Sequence, residues 1–120
     1  MKRIIFTAAI IVLTLSLQQV TAETAICTNS EIQRYASVSG SIIVWEDNRN
    51  GNLDIYGYDT DSNTQIPICT NSAVQFYPSI SGNIVVWQDF RNGNPDIYGY
   101  NIETATEFAI CTDSSLQECP

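Results

Sequence analysis

Ile84-Val85-Val86-Trp87-Gln88-Asp89-Phe90-Arg91-Asn92-Gly93-Asn94-Pro95-Asp96-Ile97-Tyr98-Gly99-Tyr100 is the stretch that decides the fold. Ile84–Gln88 is β-branched and aromatic with no helical period, which reads as a strand. Its two faces, Ile84 with Val86 and Val85 with Trp87, are both apolar, so both sides are expected to be covered. Asp89–Pro95 is a polar loop: Asn92-Gly93 suits the positive backbone angles of a tight hairpin turn, and Asp89 can accept from nearby backbone N–H groups. Asp96–Tyr100 is extended again, with Gly99 on the Ile97 face leaving room for a neighbouring ring. Upstream, Tyr77–Ser81 is a short strand opened near its start by Pro78 and closed by the two-residue turn Gly82-Asn83. Downstream, Glu103–Thr106 reads as a turn and Glu107–Thr112 as a fourth strand. Glu23–Pro120 contains no helical stripe.

The same pattern occurs 42 residues earlier. Ile26–Pro67 and Ile68–Ala109 align without a gap, with 24 of 42 positions identical. Cys27, Cys69 and Cys111 keep phase, as do Trp45 and Trp87, Asp47 and Asp89, and Tyr58 and Tyr100. A repeat of this length marks a unit that cannot bury its own faces and stacks on the next. Four short antiparallel strands with two apolar faces fit one blade of a β-propeller. The predicted fold is therefore all-β: two four-stranded antiparallel blades, an incomplete β-propeller, after an N-terminal signal helix.

Each copy resembles the TolB-like, WD40-like propeller repeat, and in particular the tandem version found in surface proteins of methanogenic archaea. The residues that carry the likeness are Tyr77-Pro78-Ser79-Ile80-Ser81-Gly82, Val86-Trp87-Gln88-Asp89, Arg91 through Tyr100, and Ile110-Cys111-Thr112. The first copy matches at the same places, with Ala36 instead of the proline. The resemblance covers Ala25–Thr112 and implies a propeller-repeat fold in a surface protein. Propellers close with roughly four to eight blades. Two blades, plus a stray fourth strand expected at Ala25–Thr28, leave an apolar face at each end. A shortened gene product, a trimmed ancestor and assembly from several chains all remain open.

The first 22 residues read as a secretory signal. Lys2 and Arg3 precede the uncharged apolar run Ile4–Leu17, and Val20-Thr21-Ala22 supplies small residues for cleavage. The run is too short to span a bilayer comfortably, and an uncleaved anchor is the competing reading. The organisation expected is 1–22 signal peptide, 23–34 lead-in, 35–70 first blade, 71–112 second blade and 113–120 C-terminal tail. Removing Lys2 and Arg3 takes the net charge from −8 to −10 and leaves Arg34, Arg49 and Arg91 as the only cations. Such a surface repels phosphate backbones, so no nucleic acid is expected as partner. The mature chain is expected to carry no membrane span and to be secreted or held at the cell surface.

Two loops hold the candidate binding residues: Asp47, Arg49, Asn50, Asn52 and Asp54, and their repeats Asp89, Arg91, Asn92, Asn94 and Asp96. Carboxylates and amides around a glycine invite a calcium reading, because calcium takes six to eight oxygens. Arg49 and Arg91, however, stand where a calcium loop needs a ligand, so a hairpin capped by Asp47 or Asp89 is expected, with no metal and no cofactor. Cysteines at equivalent repeat positions sit too far apart to bridge and suit a role as small buried hydrophobes, with Cys111–Cys119 as an alternative pair. The chain has no histidine, which removes the usual serine and cysteine catalytic arrangements. Trp45, Trp87, Tyr56, Tyr58, Tyr98 and Tyr100 read as packing between blades, or alternatively as sugar-stacking platforms. The function expected is an exported interaction or structural module, not an enzyme, with a protein or cell-envelope partner. Self-association of two or three chains to complete a propeller is part of that expectation. The alternative is a lectin-like or ion-dependent binder with one site per repeat.

Overall fold

The computed structural model describes residues 23–115. The expected signal helix, the end of the tail and the Cys111–Cys119 alternative lie outside the described residues. Eight strands run in chain order: β1 Gln33–Ser39, β2 Ile42–Asp47, β3 Asp54–Asp59, β4 Thr64–Cys69, β5 Gln75–Ser81, β6 Ile84–Asp89, β7 Asp96–Asn101 and β8 Thr106–Cys111. They form two four-stranded antiparallel meanders, β1-β2-β3-β4 and β5-β6-β7-β8, with the same register in both. This is the all-β, two-blade fold that the repeat predicts.

The first two turns of each blade follow from their glycines, while the third has Asn63 or Ala105 at positive φ. Gly40 and Gly82, both at φ +56°, open two-residue hairpins between β1 and β2 and between β5 and β6. The loop between the second and third strands is longer than a tight hairpin. Asp89 pairs with Asp96, and the chain between them turns with Gly93 N–H donating to Phe90 O at 3.1 Å. Of Asn92 and Gly93 only the glycine has positive φ, at +89°, as a type I turn followed by glycine requires.

The first strand of each blade begins two residues before the expected tyrosine. Gln33 and Arg34 pair with Asp47 and Glu46 before the register shifts, and Gln75 and Phe76 do the same with Asp89 and Gln88. Tyr35 and Tyr77 sit in these bulges at φ 53° and 54°, a conformation costing a non-glycine residue roughly 1–2 kcal/mol. Pro78 thus lies beside a bulge in mid-strand, where its missing N–H breaks no ladder bond. The strand expected at Ala25–Thr28 is not formed. Its repeat equivalent, the end of β4, pairs with β3 of its own blade, and the described residues hold no earlier blade to offer such a partner.

The core lies between the blades. Ile42, Val44, Ile55 and Ile68 of the first blade pack with Ile80, Val85 and Trp87 of the second, and Tyr98 and Tyr100 close the edge. One blade therefore presents its Ile42/Val44 face and the other its Val85/Trp87 face. Among the described residues the expected coverage of both faces is not met: each blade is covered by the other on one side only. On the far side of the second blade Ile84 is 37% and Ile110 50% exposed, against 8% and 5% for Ile42 and Ile68, their repeat equivalents. On the far side of the first blade Val38 is 66% exposed, against 8% for Ile80. Trp45 departs from expectation: it lies on the open face yet is buried, because it turns its indole onto Asp47 and the lead-in residues Ile26 and Cys27 flank it.

Candidate functional site

Trp45 and Asp47 are two residues apart on β2, which places both on one face of the strand. Trp45 Nε1 donates to Asp47 Oδ2 at 2.9 Å. The loop then returns Arg49, whose backbone N–H and Nε both donate to Asp47 Oδ1 at 2.9 Å while Nη2 donates to Oδ2 at 2.5 Å. The guanidinium lies 4.0 Å over the Tyr56 ring, contacts Cys27 Sγ at 3.3 Å and donates to Gln65 Oε1 at 2.6 Å. The second repeat reproduces this. Asp89 accepts from Trp87 Nε1, Arg91 N–H, Nε and Nη2 at 2.7–3.0 Å. Arg91 lies 4.0 Å over Tyr98, meets Cys69 Sγ at 3.2 Å and pairs with Glu107.

Burial pushes the Asp47 and Asp89 carboxyls up, but the hydrogen bonds from arginine, tryptophan and backbone together outweigh it and hold both below the ordinary range. The Asp89 hydrogen bond raises Arg91 well above its usual value. Burial drives the Cys69 thiol up to about 12, so it stays protonated and unreactive. Both carboxylate oxygens of each aspartate already face N–H donors from the same repeat.

The other half of each loop is a separate cluster. Asn50 Nδ2 donates to Asp54 Oδ2 at 2.6 Å and to the Tyr56 hydroxyl at 3.0 Å. Asn52 Nδ2 donates to Asp54 Oδ1 at 2.9 Å and also reaches Asn71 O and Ala73 O in the segment between the blades. Asn92, Asn94 and Asp96 repeat the arrangement, with Asp113 O as the outer acceptor. Burial raises Asp54 despite its two amide donors. The structure thus brings Asp47 to Arg49 and Asp54 to Asn50 and Asn52, and uses the two sets differently. The first clamps a strand end; the second ties the loop to the inter-blade segment.

Glu46 plays a part that the sequence did not signal. It is fully buried; Oε1 accepts the Tyr77 N–H at 2.7 Å and Oε2 the Arg34 Nε at 2.7 Å. A carboxylate from one blade thereby holds the bulge of the next. Ser37 Oγ accepts Ile80 N–H at 3.4 Å and Ser39 Oγ accepts Gly82 N–H at 3.0 Å along the same junction. The tyrosines at the two bulges meet edge to face, with centroids 5.2 Å apart. A strand reading hides these residues, since the repeat has Gln88 in place of Glu46 and serines are ordinary strand-edge residues. Their spacing of 43 to the partner, one more than the repeat, is the signal that would have found the serines.

Comparison places this geometry. The chain is similar to a solved structure from Agrobacterium tumefaciens assigned as TolB, with a TM-score of 0.60 and 21% identity. The fold is TolB-like. The match covers 72% of this chain and 32% of that one, so the TolB-like part spans about a third of the neighbour's length. No protein-family model and no curated protein matches the sequence.

Proposed function

We propose that this chain is an exported, cell-surface β-propeller-repeat protein that works as a non-catalytic interaction or structural module, of the kind carried in tandem by archaeal surface proteins. What supports the non-catalytic reading is the use made of the loop carboxylates. Asp47 and Asp89 are spent on tryptophan and arginine of their own repeats, and a hydrolase would need such groups free to move protons. The partner is a protein or cell-envelope material, met through blade surfaces rather than a deep catalytic cleft. A lectin-like role would need exposed aromatic faces. Trp87 is fully buried, Trp45 nearly so, and arginine covers Tyr56 and Tyr98. Among the described residues no helix is long and apolar enough to cross a membrane.

The test is expression of the full chain in a host with a general secretory pathway, followed by fractionation and mass spectrometry. The product outside the cytoplasm should begin at Glu23. An intact Met1 on a cytoplasmic product would overturn the export part of the reading.

A further inference from the structure

The junction between the blades is a head-to-tail contact, and among the described residues its two halves recur on the outer faces of the two blades. The donor half at the junction is Ile42, Val44, Ile66 and Ile68; 42 residues later the same face offers Ile84, Val86, Phe108 and Ile110, of which Ile84, Phe108 and Ile110 are exposed. The acceptor half is Ile80, Val85 and Trp87; 42 residues earlier stand Val38, Ile43 and Trp45. Beside Trp45 lies an open cleft of about 360 Å³ lined by Ile43, Tyr35 and Arg34. In the second blade the equivalent residues Val85 and Trp87 are fully covered by the first blade. The polar latches recur as well. Ser79 and Ser81, both exposed, are the equivalents of Ser37 and Ser39, and Val38 and Gly40 are the equivalents of the residues whose N–H groups those serines accept.

We propose that a second copy of this chain fills the cleft. Its Ile84/Ile110 face seats on the Val38/Trp45 face, in the register of the junction within the chain. Ser79 Oγ then accepts Val38 N–H, and Ser81 Oγ accepts Gly40 N–H. The contact is heterologous, so it propagates until a ring closes; two or three copies supply four or six blades, within the range at which propellers close. This deepens the module reading by naming the partner, and rests on it for the blade geometry alone. A monomer that still reaches the cell surface would remove the assembly and leave the module.

One place is contested. At the junction Cys69 meets Arg91, so Cys111 of one copy would arrive where Cys27 of the next already meets Arg49. The flanking sequences are identical, Ala25-Ile26-Cys27-Thr28 and Ala109-Ile110-Cys111-Thr112. The lead-in is the one to give way. It is in no strand, and past Cys27 it departs from its equivalent: Gln75 Nε2 donates to Ala73 O at 2.6 Å, whereas the buried Gln33 Nε2 has no partner.

Sedimentation velocity of the full-length secreted product tests the proposal, with Ile84→Asp on the donor face and Val38→Arg on the acceptor face. Both sites are exposed, so each variant should keep the wild-type circular dichroism spectrum. The wild type should sediment as two or three copies and each variant as a monomer. An equimolar mixture of the variants should form a heterodimer, because the donor face of the Val38→Arg chain and the acceptor face of the Ile84→Asp chain are both intact. If either charge variant fails to fold, Ser79→Ala with Ser81→Ala serves instead; each lost hydrogen bond should weaken association roughly 2- to 12-fold. A monomeric wild type, assembly that survives all these substitutions, or variants that do not complement each other would overturn the proposal.

Discussion

Asp89 shows how much one residue carries. Its carboxylate is fully buried and receives the Trp87 indole, the Arg91 side chain and a backbone N–H. Asp89→Ala leaves a largely buried guanidinium and an indole N–H without their acceptor, and should destabilise the protein by about 2–4 kcal/mol in urea unfolding. Because the folded values of Asp47 and Asp89 lie below the ordinary range, their stabilisation is present above the unfolded value near 4 and is lost as pH falls through the folded value. Asp54 is shifted the other way, so protonating it favours the fold as pH drops through its raised value. Acid unfolding should therefore be steepest below about pH 4 and flattened in the Asp89→Ala variant. Millimolar calcium should leave Tm unchanged; a rise that disappears in Asp89→Ala would reassign the loop as a metal site. The turn cap at Asp89, which accepts the Arg91 backbone N–H, was legible in the loop residues. The sequence did not reveal the thiol contact, which joins Arg91 to Cys69 of the preceding repeat, nor the indole contact, which depends on how the Trp87 side chain turns along its own strand.

At the scale of the element, the strands were legible and their irregularities were not. β-branched and aromatic runs and the Gly82-Asn83 turn are local signals, and together with the return of each landmark after 42 residues they placed all eight strands. The bulges at Tyr35 and Tyr77 have the same backbone form in both repeats, Glu46 holding the second of them by its N–H, and a tyrosine at positive φ gives no hint in a sequence where glycine is the usual marker. The glycines inside β3 and β7 offer a measurable contrast. A Cβ on Gly57 would meet Ile68 Cδ1 at 3.0 Å and the Ile43 carbonyl at 3.3 Å, both in the packed interior. A Cβ on Gly99 would meet the Phe108 ring at 2.7 Å, as the room on the Ile97 face suggested, but that ring lies on an open face and can swing aside. Gly57→Ala should thus cost about 1–3 kcal/mol, and Gly99→Ala clearly less when both are unfolded at micromolar concentration. Equal losses would mean that Phe108 is held in place.

The whole molecule sets two long-range forces against each other. The open blade faces favour association, since covering apolar area yields roughly 25 cal/mol per Å² before the cost of ordering two bodies. The net charge of −8, or −10 once Lys2 and Arg3 are gone, opposes it. Like-charged copies repel across a screening length of about 30 Å at 0.01 M salt but only about 3 Å at 1 M, while apolar burial is not screened. Association through the blade faces should therefore strengthen several-fold between 10 mM and 0.5 M sodium chloride, with Tm rising alongside it. Because a ligand that binds only the folded state adds stability by mass action, and here the ligand is the chain itself, Tm at fixed salt should also rise with protein concentration. Charge screening alone would raise Tm equally for wild type and for Ile84→Asp, whereas only the wild type should show the concentration dependence. Association that weakens as salt rises would instead point to ion pairs across the contact, a role open to few groups when the described arginines, Arg34, Arg49 and Arg91, are already engaged with Glu46, Asp47 and Asp89.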